Sequence, residues 1–143
     1  MRYFTVEVLE KANLIENEQE RVEFLKKYIN QRPVQIALAS FHNPNIQFFK
    51  HRGQFEYVNK FPTLGLSDNN YENISKKMYL FLESTDIPLE KKEKQFVNFL
   101  ESVSQKEAEL LVNMVKKNNP YKNLNKNFIK KHFNNILDVE ITR

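Results

Sequence analysis

Six lysines stand between Leu110 and Leu137 (Lys116, Lys117, Lys122, Lys126, Lys130 and Lys131) with no acidic residue among them, a local charge of +6. Ammonium groups at this density beside Tyr121, Phe128, His132 and Phe133 suit contacts to phosphates, with an aromatic ring available to stack on a base. They suit an acidic protein surface equally well. They also fit a solvated helix face whose aromatics turn to the core, and Lys116 and Lys117 fall where cations complement the negative end of a helix. The stretch contains no Arg, the residue that dominates specific base recognition, so sequence-specific DNA reading is not expected. Elsewhere the charge is even: residues 1–32 carry six bases and six acids, and the whole chain has a net charge of +4.

Other chemistry is thinly supported. The histidines are His42, His51 and His132. His51 with Arg52 forms a second basic point and a candidate partner contact. No His pair brackets an acid at the i, i+4 spacing of a helical zinc site, so no metal is expected. His42 reads as the end of its helix and His132 as an edge of the core. The carboxylates Glu16, Glu18, Glu20 and Glu23 lie at a helix start, where they favour the dipole. None of the six serines sits in a Gly-x-Ser-x-Gly setting. With no Cys there is no thiolate zinc site and no thiol nucleophile, and two Gly cannot build a glycine-rich phosphate cradle. Neither catalysis nor a cofactor is expected. No apolar run approaches the roughly 20 residues that span a bilayer. Met1 to Asn13 includes Glu7 and Glu10 and does not read as a secretory signal. An intracellular, non-membrane domain is the expectation.

The elements that would carry these residues read as helices. Apolar residues recur at three- and four-residue spacing, and 143 residues suit one domain, with a subdivision near residue 70 as the alternative. The expected class is all-α, a compact bundle of about six or seven helices. The first spans about 5–14 with Thr5 as N-cap. The second spans about 17–31 and carries Val22, Leu25 and Ile29. Pro33 opens the third, which must stop by Asn43 because Pro44 follows. The periodicity predicts a helix from Tyr71 through Leu82, and another after Pro88 with Phe96, Val97, Leu100 and Val103 inward. Ser104-Gln105-Lys106-Glu107 has the form of a capping box for the next. The last spans about 125–134, and the tail from Asp138 reads as extended or frayed. Between them, residues 44–70 are long for a loop in a compact domain. The alternating runs 46–49 and 54–58 are compatible with a small hairpin. The aromatics of this segment argue that it wraps onto the core or onto a partner.

Asn occurs 18 times and Lys 17 times against four Ala, which reads as the coding bias of an AT-rich genome. Four segments then carry a resemblance: FHNPNIQF from Phe41, KKMYLFLES from Lys76, FVNFLESVSQKEAELLVNM from Phe96 and NNPYKNLNKNFIKKHF from Asn118. In this order they resemble a family of small proteins of T4-like tailed phages, many of them marine. The chain departs from the family where Phe49-Lys50-His51-Arg52-Gly53 replaces a Pro- and Gly-rich loop. The resemblance implies a viral accessory protein in the cytoplasm of an infected bacterium, or a minor virion component, and implies no activity, cofactor or site. Two functions follow as expectations. One is a non-enzymatic protein docking on a host or phage protein. The other is a weak, sequence-nonspecific nucleic-acid binder using the six lysines. The oligomeric state is open.

Overall fold

The computed structural model describes residues 3–51 and 53–142. Seven α-helices are found among them: α1 (Thr5–Leu14), α2 (Glu18–Lys26), α3 (Arg32–His42), α4 (Tyr71–Ser75), α5 (Leu89–Ser102), α6 (Gln105–Lys116) and α7 (Lys126–His132). Two 3-10 turns, Met78–Phe81 and Lys122–Leu124, lie between them, and a third, Asn134–Asp138, follows α7. The described residues contain no strand, only two isolated bridges. The fold is all-α.

Helix starts follow side-chain chemistry. Asn17, Asn70, Ser104 and Asn125 each accept a backbone N–H three residues on, supplying partners that the first turn lacks. The expected capping box is present, with the Glu107 carboxylate accepting from both the N–H (3.2 Å) and the hydroxyl (2.7 Å) of Ser104. The same carboxylate reaches α4 and accepts the Tyr71 N–H at 2.6 Å. One buried Glu thus caps two helices. α1 differs from expectation. Thr5 is its first helical residue rather than its cap; the Phe4 N–H donates to Glu7 (3.0 Å) and the Thr5 N–H to Glu72 (2.9 Å).

Three other elements depart from the sequence pattern. α2 ends at Lys26, because Tyr28 and Ile29 turn back onto the Leu25 carbonyl and Gln31 must be extended to open α3. The stripe from Tyr71 to Leu82 is not one helix. It breaks after Ser75 and resumes as the 3-10 turn Met78–Phe81, whose three-residue repeat aligns Met78 and Phe81 inward. The carbonyls at the end of the stripe serve longer-range partners: Phe81 O accepts the Phe49 N–H (2.8 Å) and Leu82 O accepts the buried Lys92 ammonium (2.6 Å). The expected hairpin does not form for the same reason. Run 46–49 is stitched to 81–83, while Phe61 lies beside Ser104 and its carbonyl accepts the Gln105 N–H at 3.0 Å.

A single cluster of buried residues runs from Val6 to Ile141. Its aromatic centre is Phe96, with ring centroids of Phe55, Phe81 and Phe49 at 4.9, 5.1 and 5.6 Å. The long segment therefore wraps onto the core through Phe48, Phe49 and Phe55, which are all buried. The tail is tied rather than frayed. Asn43 donates to Val139 O (2.9 Å), Arg32 donates to Glu140 O (2.6 Å), and Ile141 is buried.

His42 ends α3 as expected, and its buried Nε2 lies 3.0 Å from Leu124 O. Burial pushes its pKa below the ordinary value, with Lys126 and Lys117 adding to the effect and the Leu124 carbonyl opposing it. The folded state therefore holds this ring neutral where the unfolded chain protonates it. The resulting stability is complete above about pH 6.5, the unfolded value, and is lost as pH falls toward the lower folded value. Urea midpoints measured at neutral and mildly acidic pH are expected to differ less for His42→Asn than for the wild type.

Candidate binding surface

The six candidate lysines divide between two places. Lys116 and Lys117 close α6. Lys117 takes the left-handed conformation (φ 54°) that terminates a helix. Its ammonium donates to Ser40 O (2.8 Å) and Asn43 O (2.9 Å), the open carbonyls at the end of α3, and burial lowers its pKa. Lys116 donates to Gly53 O and lies over the Phe55 ring, 5.6 Å from its centroid. These two lysines hold the fold together rather than forming a free basic face.

His51 lies at the same end of the molecule. Its ring stacks on Phe55 at 4.1 Å, and its Nδ1 is 2.6 Å from a Glu93 carboxylate oxygen. Arg52 falls outside the described residues. The set of Phe55, His51, Glu93 and Lys116 thus fastens the long segment across α5 and α6. Grooves flank it, one lined by Tyr57, Val112 and Lys116, the other by Val97, Lys94 and Glu93. Glu93 gave no signal in the sequence, since nothing local marks a partner 42 residues away.

The other four lysines gather around α7. Lys122, Lys126, Lys130 and Lys131 are all exposed. Lys126 and Lys130 are one turn apart on the helix, and Lys122 precedes it on the 3-10 turn. None of Lys122, Lys126 and Lys130 pairs with a carboxylate of the described residues. Lys131 pairs with Glu18 at 3.2 Å and holds that carboxyl below its usual range, with His132 contributing from 3.5 Å. The aromatics expected to stack are not on this surface. Tyr121 is buried against Phe41, at 6.3 Å between centroids, and burial pushes its phenol pKa up. Phe128 and Phe133 are buried as well.

Between α2 and α7 lies a polar pocket of about 220 Å³, lined by Glu18, Arg21, Asn123, Asn125, Asn127 and Phe128 and, alone of the four lysines, by Lys131. Arg21 is only 6% exposed, and its guanidinium covers the Phe128 ring at 5.1 Å. It fastens α1 to α2 by donating to Ile15 O (2.9 and 2.7 Å) and Glu16 O (3.0 Å). Sequence reasoning missed this residue, although Arg21 stands four before Leu25 on the buried stripe of α2. It also missed the alternation Asn123, Asn125, Asn127, which looked like compositional filler. A larger cleft, about 510 Å³, is bordered by Asn43, Ile46, Leu82, Glu83, Glu140 and Ile141 and carries carboxylates rather than lysines.

Among the described residues no group of three or more His, Asp or Glu is placed to hold a metal, and no helix is long and apolar enough to cross a membrane. No family model, no curated protein and no solved structure matches the chain.

Proposed function

We propose that this chain is a non-enzymatic binding protein that docks its α7 end on an acidic surface of a host or phage protein inside an infected bacterium. One observation carries the reading. Lys122, Lys126 and Lys130 project uncompensated charge while the neighbouring rings of Tyr121, Phe128 and Phe133 are withdrawn into the core. Exposed, unpaired ammonium groups raise the encounter rate with an acidic partner and reject a basic one. A single-stranded nucleic acid gains much of its affinity from bases stacked on aromatic faces, which this surface does not offer. The viral setting rests on the resemblance of four sequence segments to phage proteins.

The test is capture of tagged protein from infected cells, with and without nuclease, beside the triple variant Lys122→Glu, Lys126→Glu, Lys130→Glu. A discrete protein partner is expected to survive nuclease, and the triple variant is expected to lose at least tenfold in its recovery. Recovery that collapses with nuclease sinks the reading in favour of phosphate contacts. Four such contacts would give a log–log salt slope of roughly −3 to −4.

A further inference from the structure

The pocket beside α7 is lined by two cations, Arg21 and Lys131, but by one carboxylate, Glu18. The Arg21 guanidinium is buried, its hydrogen bonds go to carbonyl oxygens, and it pairs with no carboxylate of the described residues. A buried charge lacking a counter-ion strongly favours binding one. Two further groups point the same way. His132, just beside the lining, has a buried Nε2 that makes no hydrogen bond and faces the Glu18 carboxylate from 3.5 Å, and Nη1 of Arg21 makes no hydrogen bond with the described residues. The exposed Asn127 lines the same pocket.

One carboxylate already sits at the rim. Glu18 is half-exposed, touches Lys131 at 3.2 Å and lies 3.5 Å from His132 Nε2, beyond good hydrogen-bond geometry there. Relying on the docking reading above, we infer that this pocket is the subsite that receives a Glu or Asp side chain of the acidic partner. The incoming carboxylate takes Lys131 and the free edge of Arg21, and Glu18, which occupies the rim in the unbound protein, swings into water. A carboxylate rather than a nucleic-acid phosphate fits best, because the chain's own carboxylate is what Lys131 already binds and no exposed ring lies alongside for a base. Lys122, Lys126 and Lys130 then steer the partner, while the pocket fixes where its anchor lands.

The experiment uses a fluorescein-labelled hexaglutamate peptide and the full chain in low salt, read by anisotropy. Glu18→Gln is expected to tighten binding about threefold more than Glu20→Gln, which removes the same charge two residues along α2 on another face of the helix. Lys131→Gln is expected to weaken it about fivefold. In NMR titrations of the wild type, the Arg21 Nε–H and His132 ring signals are expected to shift with the peptide. Equal effects of Glu18→Gln and Glu20→Gln, or static Arg21 and His132 signals at saturation, overturn the subsite. If the triple lysine variant nonetheless loses both peptide and cellular partner, the docking reading survives that failure. Larger shifts with a hexathymidylate oligonucleotide than with the peptide overturn the assignment to a carboxylate. No peptide binding at all overturns it too.

Discussion

Glu107→Ala is expected to destabilise the protein by roughly 3–5 kcal/mol, the range reached when a buried hydrogen-bond network loses its acceptor. The carboxylate is 1% exposed and accepts three hydrogen bonds, from the N–H and hydroxyl of Ser104 and from the N–H of Tyr71. Removing it strands two buried backbone donors at the starts of two helices, where each lost cap alone costs about 1 kcal/mol. Water cannot reach them without opening the contact between α4 and α6. For a chain of this size the melting temperature should fall by roughly 10–15 °C. Glu107→Gln keeps an acceptor oxygen and should recover part of the loss. A thermal melt of the two variants beside the wild type checks the order. If Glu107→Ala melts within a few degrees of the wild type, the double cap is not a mainstay of the fold.

Phe96→Ala is expected to cost about 3–5 kcal/mol for the lost burial and the cavity left behind. Phe96 is fully buried and its ring meets those of Phe49, Phe55 and Phe81. The effect should not be uniform. Phe49 and Phe55 belong to the long segment, which has few backbone bonds of its own, so their grip on α5 largely sets its order. Amide exchange should therefore quicken across 47–57 more than within α3 or α6, where helical bonds persist. Leu100→Ala, equally buried on the same helix but outside the aromatic group, provides the comparison. It should lower global stability without singling out 47–57. Uniform acceleration in both variants would count against the aromatic group as the anchor of the segment.

The sequence and the structure agree best where a signal is local. The boundaries of α1 and α3, the start of α2 near residue 17 and the Ser104–Glu107 box are properties of a few neighbouring residues. Agreement fails where a distant partner decides. Tyr71 to Leu82 has helical spacing throughout, yet it breaks after Ser75, and its last carbonyls serve the distant Phe49 N–H and Lys92. Runs 46–49 and 54–58 alternate like strands, yet each buries its rings better against α5 than it would in a two-stranded ribbon. The candidate lysines show the same division. Charge density located the α7 end correctly as exposed, but could not foresee that Lys117 closes α3 from 74 and 77 residues away in sequence. Arg21 escaped notice, and Glu18 read only as a helix-start carboxylate, because their meaning depends on Phe128 and Lys131, more than a hundred residues further along.

The fastening of the tail bears on how the chain can be born. α3 packs on the turn Asn134–Asp138, α1 packs on the turn Lys122–Leu124, and Asn13 is bonded to Asn123 through both its carbonyls. The first third of the protein therefore has part of its covering in the last fifth. While the ribosome is still making α5 and α6, α1 and α3 have only each other, α2 and α4 to pack against, and the faces they turn to α6 and to the two late turns stay open. Chaperones and proteases have access to them until residues near Ile141 emerge, and a nascent chain stalled short of Val139 should be degraded rather than accumulate as a stable fragment.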